Sequence, residues 1–478
     1  MTRLLLFFTL LGSWPLLQAQ DDAWSLQRCV QYAWQHNLAV QQAEINVRNS
    51  SLDKSLNQWS RLPSLNASVS GGYQFGRTID PTTNSFNNTR IGFNSYGLNG
   101  GVVLFDGNRI NASIQQADAN LEASRMDAED TRQTIALNVA TAFLNILLNE
   151  EQLANSQTQV EQSKQQLERT NRLVAAGQLP ANARLDLEAQ LARNEQTLIV
   201  AQNNLDIANL SLKQLLQLDP AQPLVLEMPA VAVSEDMLVR SYTLEEVYAA
   251  ALRTQANVAA AQLRIQSSEQ GEKVAAAGAL PTLTLFGSLN TNYSTAAIDF
   301  ANPNTDNVML VPGDPVQVEV NGISTEVVFF NPVGVTYPKQ SFGDQFTENF
   351  GQSLGVSLNI PIYNNHRNNI AKERARLGII NAELNHRQLT DRLKSDVQAA
   401  VTNFYTARNS YLAAQRSFEA AEAAWNDARR RFDLGAINTF EYNNAADNRD
   451  LAQRELTRAR YQLLFNQKVV DFYMGLTM

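Results

Sequence analysis

Residues 62–76, LPSLNASVSGGYQFG, alternate in character. Leu65, Ala67, Val69, Gly71, Tyr73 and Phe75 face Ser64, Asn66, Ser68, Ser70, Gly72 and Gln74, the period of a strand with one apolar and one polar side. The pattern returns in SYGLNGGVVLF, around Leu283, Leu285, Leu289 and Tyr293, and in NFGQSLGVSLNIPI. Four strands are expected, at about 63–76, 95–105, 281–293 and 349–362.

Most of the remaining chain has a helical period. Residues 108–176 contain neither Gly nor Pro, and a helix over this stretch would run roughly 100 Å. Val139, Ile146, Leu153, Val160, Leu167 and Val174 recur every seventh residue, as do Phe404, Tyr411, Phe418, Trp425 and Phe432, with a parallel row of Ala400, Ala407, Ala414, Ala421 and Ala428. Heptads this long demand coiled-coil packing, and the alanine row admits a close neighbour. Return helices carry Leu191, Leu198, Leu205 and Leu212 in one place and Leu456, Leu463 and Val470 in the other, with hairpin tips near Gly177 and Gly435.

The plan occurs twice. WSLQRCVQYAWQHN at 24 matches YTLEEVYAAALRTQ at 242, and LPSL at 62 matches LPTL at 280, both at an offset of 218. VVLFDGNR at 102 matches IPIYNNHR at 360 at an offset of 258, so 258 − 218 = 40 residues are inserted between the second pair of strands. The expected organisation is a signal peptide over 1–19, a first repeat over 20–217 with its helical hairpin at 108–217, a linker over 218–241 rich in proline, and a second repeat over 242–478 with an extended loop at 294–348 and a hairpin at 365–474. Pro303, Pro312, Pro315, Pro332 and Pro338 make that loop a poor helix and a poor central strand.

Arg3, the apolar run Leu4–Leu11 and the small residues near Ala19 follow the plan of an export signal. No apolar run past it is long enough for a spanning helix. Cys29 is the single cysteine and suits a buried helix face. The formal charge of −9 leaves no basic excess for nucleic acid. Three histidines, one cysteine and no Gly-rich phosphate loop offer no catalytic centre, no metal site and no cofactor site.

An exported chain with amphipathic strands suits a bacterial outer membrane, where closed barrels satisfy every strand. Aromatics near strand ends, Tyr73, Phe93, Tyr293 and Tyr363 among them, suit its interfaces. Four strands cannot close a barrel, so copies must join; three would supply twelve strands, and two would supply eight.

Over nearly the whole mature chain the sequence resembles the TolC-like outer-membrane efflux proteins. The resemblance rests on the duplicated plan, the LP before each first strand and the ordered stretch RFDLGAINTFEYNNAADNRDLAQRELTRARYQLLFNQ. It implies an α+β membrane protein, mainly α: a homotrimer whose 12-stranded barrel, in contact with outer-membrane lipid, continues as a helical barrel in the periplasm. It further implies a passive exit duct of a tripartite pump or type I secretion system, docked to a periplasmic adaptor (membrane fusion) protein and an inner-membrane transporter. The family's gate positions fall on Phe432, Ile437, Glu441 and Asn444, with Asp186 as the counterpart in the first hairpin, whose tip reads as three residues longer. The adaptor contacts fall on Gly177, Gln178 and Leu179 and on Gly435, Ala436 and Ile437. Three copies of Glu441 around an axis would favour cations; a solvated helix-surface Glu is the plain alternative. Phe432 lacks a hydroxyl, so closure is expected to lean on heptad packing more than on polar links. A non-conducting coiled-coil spacer is the competing function, disfavoured by the small Ser, Asn and Gly on the polar strand faces.

Overall fold

The computed structural model describes residues 23–79, 86–87, 90–178, 180–227 and 233–476. The expected signal peptide and Leu179 lie outside the described residues. In chain order the elements are helices α1 (Leu26–His36) and α2 (Leu38–Trp59), strands β1 (Ser64–Gln74), β2 (Thr78–Ile79), β3 (Phe86–Asn87) and β4 (Ile91–Phe105), and helices α3 (Arg109–Ala175), α4 (Ala181–Leu216), α5 (Glu235–Val239), α6 (Leu244–Thr254) and α7 (Ala256–Ala277). Strands β5 (Thr282–Ser294), β6 (Met309–Pro312), β7 (Val316–Val320), β8 (Ile323–Val327) and β9 (Phe330–Val333), helix α8 (Phe342–Glu348), strand β10 (Gly351–Asn359) and helices α9 (Arg367–Asp433) and α10 (Thr439–Met474) complete the chain.

The internal repeat is kept to the residue. Helices α1 and α2 reappear as α6 and α7 with a shift of 244 − 26 = 218, and α3 and α4 as α9 and α10 with a shift of 367 − 109 = 258. The long helices have 67 residues each and the return helices 36 each. The three additional residues expected at the first tip are therefore not there: both turns, 176–180 and 434–438, have the same length, and only their residue types differ. Ser25 caps α1 through the Arg28 N–H, and the equivalent Thr243 caps α6 through the Glu246 N–H, each at 3.2 Å. Asn37 donates to the Leu215 carbonyl (2.9 Å), and the equivalent Gln255 to the Phe472 carbonyl (3.3 Å). Each amide pins a short helix to the end of its own return helix.

Two compact units are present, and each draws on both repeats. The helical unit takes the described residues up to Leu52, then Ala117–Ser268 and Gly378 onward. It has two apolar cores. In one, Val139, Phe143 and Ile146 of α3 meet Leu212 and Leu216 of α4 and the α1 face holding Cys29; burial pushes the Cys29 thiol up to about 11. In the other, Val397 and Phe404 of α9 meet Leu463 and Val470 of α10 and Val247 of α6. The aromatic heptad row is buried at Phe404 and Phe432 and half-buried at Tyr411, Phe418 and Trp425. The expected linker meets the segment before α1, where Trp24 N–H donates to the Val225 carbonyl (2.8 Å) and Glu227 N–H to the Trp24 carbonyl (3.1 Å).

The other unit, Asp53–Gln116 and Glu269–Leu377, is built on a four-stranded antiparallel sheet in the order β1-β4-β5-β10. β10 stops at Asn359, short of the expected end, because Pro361 has no N–H for the ladder. The loop between β5 and β10 is more ordered than its prolines suggest. It contains the antiparallel pairs β6–β9 and β7–β8, and Pro312 and Pro332 are tolerated because these ladders have two strands only. Helix α8 is held to β5 by the buried Gln345, whose Oε1 accepts the Ser294 N–H (2.9 Å) while its Nε2 donates to the carbonyls of Ser294 (3.0 Å) and Gln340 (3.1 Å). Among the described residues no helix is long and apolar enough to cross a membrane.

Candidate functional site

The strand register sorts the four-stranded sheet into two unlike faces. Leu65, Ala67 and Val69 of β1 lie opposite Gly100, Leu98 and Tyr96 of β4; Leu98 and Val102 lie opposite Leu289 and Leu285 of β5; and Leu285, Gly287 and Leu283 lie opposite Val356, Leu354 and Leu358 of β10. This makes one continuous apolar surface, with Leu65, Val69, Leu354 and Val356 all well exposed. The reverse face carries Ser64, Asn66, Ser68 and Ser70, then Asn99, Gly97 and Ser95, then Ser288 and Asn290, then Ser353 and Gly351. Ser288 and Ser353 share a hydroxyl hydrogen bond of 2.7 Å on it. Phe286 and Phe93 are aromatic exceptions on it: Gly355 opposite Phe286 supplies a slot, since a Cβ there would come within 2.7 Å of the ring, and Gly72 lies opposite Phe93. The outer edges of β1 and β10 carry no partner strand among the described residues. Unpaired edges on a sheet with an exposed apolar face are unfinished as a free monomer.

At the tip of the helical unit, both long helices end in the same left-handed turn. Gly177 has φ +75 and Gly435 φ +73. Gly177 and Gln178 donate to the carbonyls of Val174 and Leu173, each at 2.9 Å, and Gly435 and Ala436 to those of Phe432 (3.0 Å) and Arg431 (2.9 Å), the Schellman closure that glycine permits. The return helices begin differently. Asn438 Oδ1 accepts the Glu441 N–H (2.9 Å), and Asn438 Nδ2 donates to Glu441 Oε1 (3.1 Å). Glu441 is thus an exposed carboxylate engaged in a reciprocal cap at the positive end of α10. α4 starts at Ala181, and Pro180 at its N-cap supplies no side-chain cap.

Of the other expected gate residues, Asn444 and Asp186 are exposed, Ile437 is half-buried and Phe432 is buried. Asp186 and Asn444 are equivalent positions in the repeat, 186 + 258 = 444. Phe432 stacks on Tyr442, with ring centroids 4.8 Å apart. Tyr442 is also hydrogen-bonded to Trp425, and burial raises its phenol pKa. The Trp425 ring carries the guanidinium groups of Arg429 (5.5 Å) and Arg449 (5.0 Å), and Arg449 pairs with Asp450 at 3.1 Å, both side chains only 14% exposed. Sequence reasoning placed Trp425 in the heptad seam and overlooked Tyr442, Arg449 and Asp450. The signal available was the hairpin register, which brings Tyr442 back past Gly435 to the level of Phe432.

Polar ties also join the two hairpins within one chain. Arg169 of α3 meets Asp433 of α9 at 2.5 Å. Gln190 of α4 donates to Asp447 of α10 at 2.6 Å. Farther from the tip, Gln453 donates to Asn155 (2.9 Å), and Glu151 accepts from Thr457 (3.1 Å) and pairs with Arg460. None of these ties uses Phe432 or Ile437.

Four carboxyls in this unit, Asp130, Glu150, Asp450 and Asp471, are held above their ordinary values, each mainly by burial. Arg449 opposes the shift at Asp450, and Asp127 adds to it at Asp130. A raised folded-state value means the folded protein binds protons more readily, so stability is greatest below the window and falls as pH rises through it. The window begins at the ordinary values of 3.8 and 4.5 and extends upward. The thermal midpoint of the purified protein is expected to rise on mild acidification from neutral pH, and Asp450→Asn to flatten that slope. A midpoint that falls monotonically from pH 7 to 5 would contradict it.

The profile of the outer membrane efflux protein family matches residues 29–217 and 247–476, most of the chain. The chain belongs to the outer membrane efflux protein family. Family membership makes it an outer-membrane protein and not an enzyme. The chain is 25% identical to outer membrane protein TolC of Escherichia coli over 359 residues, 72% of this chain and 62% of TolC. The match thus spans less than two thirds of TolC's length. Among solved structures it is similar to CusC (TM-score 0.74, 15% identity, 95% of this chain and 92% of that one) and to VceC of Vibrio cholerae (0.72, 14%, 94% and 96%). The open state of the MtrE outer membrane channel of Neisseria gonorrhoeae is a further neighbour (0.69, 17%, 94% and 89%). At these identities the structural likeness establishes the fold. Among the described residues no cluster of three or more His, Cys, Asp or Glu could hold a metal ion.

Proposed function

We propose that three copies of the chain join edge to edge, β1 of one beside β10 of the next, into a twelve-stranded outer-membrane barrel that opens into a periplasmic tube of helices. The observation that carries this reading is the sheet itself: one apolar face, one face of small polar residues, and two unpaired edges, in a member of an efflux-channel family. In a membrane only closure removes such edges. The apolar face then meets lipid, and the Ser, Asn and Gly face lines a water-filled lumen.

In this reading the protein is a passive exit duct for a tripartite pump or a one-step secretion system. The turns at Gly177–Gln178 and Gly435–Ile437 dock a periplasmic adaptor, which brings an inner-membrane transporter into line. The tip is the gate. Phe432 and Ile437 fill it, Asp186 and Asn444 occupy equivalent levels on the two return helices, and Glu441 forms the ring that favours cations. The half-buried state of Tyr411, Phe418 and Trp425 in one chain supports helix neighbours from other copies.

The test is the mass of the detergent-extracted particle together with its planar-bilayer conductance. A trimer with small, cation-selective conductance is expected, and Glu441→Gln should reduce the selectivity. A trimer that stays silent even with residues around Gly435 removed would make it a spacer instead.

A further inference from the structure

The hairpin β7–β8 lies in the stretch that the second repeat has and the first lacks. Its turn is Asn321–Gly322, with φ +53 and +82, the left-handed pair that a two-residue type I′ turn requires and that Asn-Gly supplies best. The register places Val316 opposite Val327, Val318 opposite Thr325 and Val320 opposite Ile323 on one face, and Gln317 opposite Glu326 and Glu319 opposite Ser324 on the other. The hairpin is therefore amphipathic, yet among the described residues nothing covers most of its apolar face: Val318 and Val327 are half-buried, but Val316 is 48%, Val320 55% and Ile323 69% exposed. A lone two-stranded hairpin is at best marginally stable in water, and a contiguous exposed apolar face marks a contact surface.

We propose that the partner is the same hairpin of a neighbouring copy, so that β7–β8 hairpins gather face to face and knit the assembly together outside the sheet. This rests on the trimer reading above. Both edges of the four-stranded sheet must be closed by other copies; the loop is tied to that sheet through Gln345 on Ser294, and its two arms to each other through the Asp299 N–H on the Pro338 carbonyl (2.8 Å). Neighbouring loops are therefore drawn together by the same contacts that close the sheet.

Charge counts against an anionic lipid surface as the occupant. From Asp299 to Gln340 the loop has five acids and Lys339 alone, 1 − 5 = −4, which repels phosphate-bearing headgroups. Glu319 and Glu326 sit on the face away from the valines, so the apolar faces can meet without bringing carboxylates together.

The test is cysteine cross-linking in the full-length, detergent-extracted particle. Cys29 is fully buried and leaves a silent background. Val320→Cys under mild oxidation is expected to shift the chain to a disulfide-linked dimer band on non-reducing gels. Glu319→Cys, the adjacent residue on the opposite face, is expected to stay monomeric on the gel. A trimeric particle in which neither variant cross-links, or both do equally, overturns the hairpin contact while leaving the duct reading intact; in the first case the face is covered by some other partner, such as a cationic peptide. A particle with the mass of one chain overturns the trimer and this contact together.

Discussion

Arg460→Ala combined with Arg169→Ala is expected to raise the conductance of the particle if the proposed duct is gated at its tip. Arg460 pairs with Glu151, both side chains about 30% exposed, and Glu151 also takes the Thr457 hydroxyl. A half-buried, charge-assisted link of this sort contributes about 2 kcal/mol. Arg169 and Asp433 are more exposed, at 45% and 37%, so their pair adds up to about 1 kcal/mol. Both ties fasten the second hairpin to the first, and splaying the tip must break them. Losing about 2–3 kcal/mol shifts a closed-to-open ratio by roughly 30- to 150-fold. Single-channel recordings of the double variant should show longer and larger openings, and Asp433→Ala alone should give a small fraction of the effect. Conductance identical to the parent, in a particle with a lowered melting temperature, would reduce these ties to scaffolding.

Phe404→Ala is expected to be the most damaging single truncation in the helical unit. The ring is fully buried and packs edge-on against Tyr242 at 5.1 Å and Tyr405 at 5.6 Å. Tyr405 in turn donates its hydroxyl to the Tyr242 carbonyl (3.1 Å) and accepts the Tyr242 N–H (2.9 Å), so the cavity would lie beside the joint that anchors the start of α6. Removing a buried Phe costs about 3–5 kcal/mol. Amide exchange across Leu393–Ala407 should accelerate by at least ~100-fold if opening of this core governs it. Phe418→Ala, two heptads on at a half-buried position, makes the comparison. Equal damage at 418 would mean that a neighbouring copy completes its burial.

The long elements were legible because their signals are local and repeated. A heptad row from Val139 to Val174, or the alternation in LPSLNASVSGG, needs no knowledge of the rest of the chain to be read as helix or strand. The repeat was legible for the same reason, and the structure sharpened it by showing that the offset of 258 passes through both tips unchanged. The hairpin β7–β8 lies inside the expected extended loop and was not singled out, although Val320-Asn321-Gly322-Ile323 carries a strong short-range hairpin signal; the surrounding prolines mask it. The ties Arg169 to Asp433 and Glu151 to Arg460 were not legible at all. They join residues 264 and 309 positions apart, and which face of each long helix meets the other is decided by packing rather than by any local pattern. At the tip, Glu441 was found by position, but its bond to Asn438 belongs to the cap and was visible in principle as an Asn three residues before a Glu.

The equal lengths of the helices carry a consequence for how such a chain can change. One residue inserted into either 67-residue helix would turn everything beyond it by about 100° and slide it about 1.5 Å. Every seam residue on the far side would then point the wrong way at once. An insertion between two strands has no such lever arm; forty residues there cost little beyond the slowly growing entropy of a longer loop. The helices behave as a ruler that cannot be re-marked. Length is free to differ where the ruler is not in use, and between the two repeats it differs in the stretch from 294 to 348.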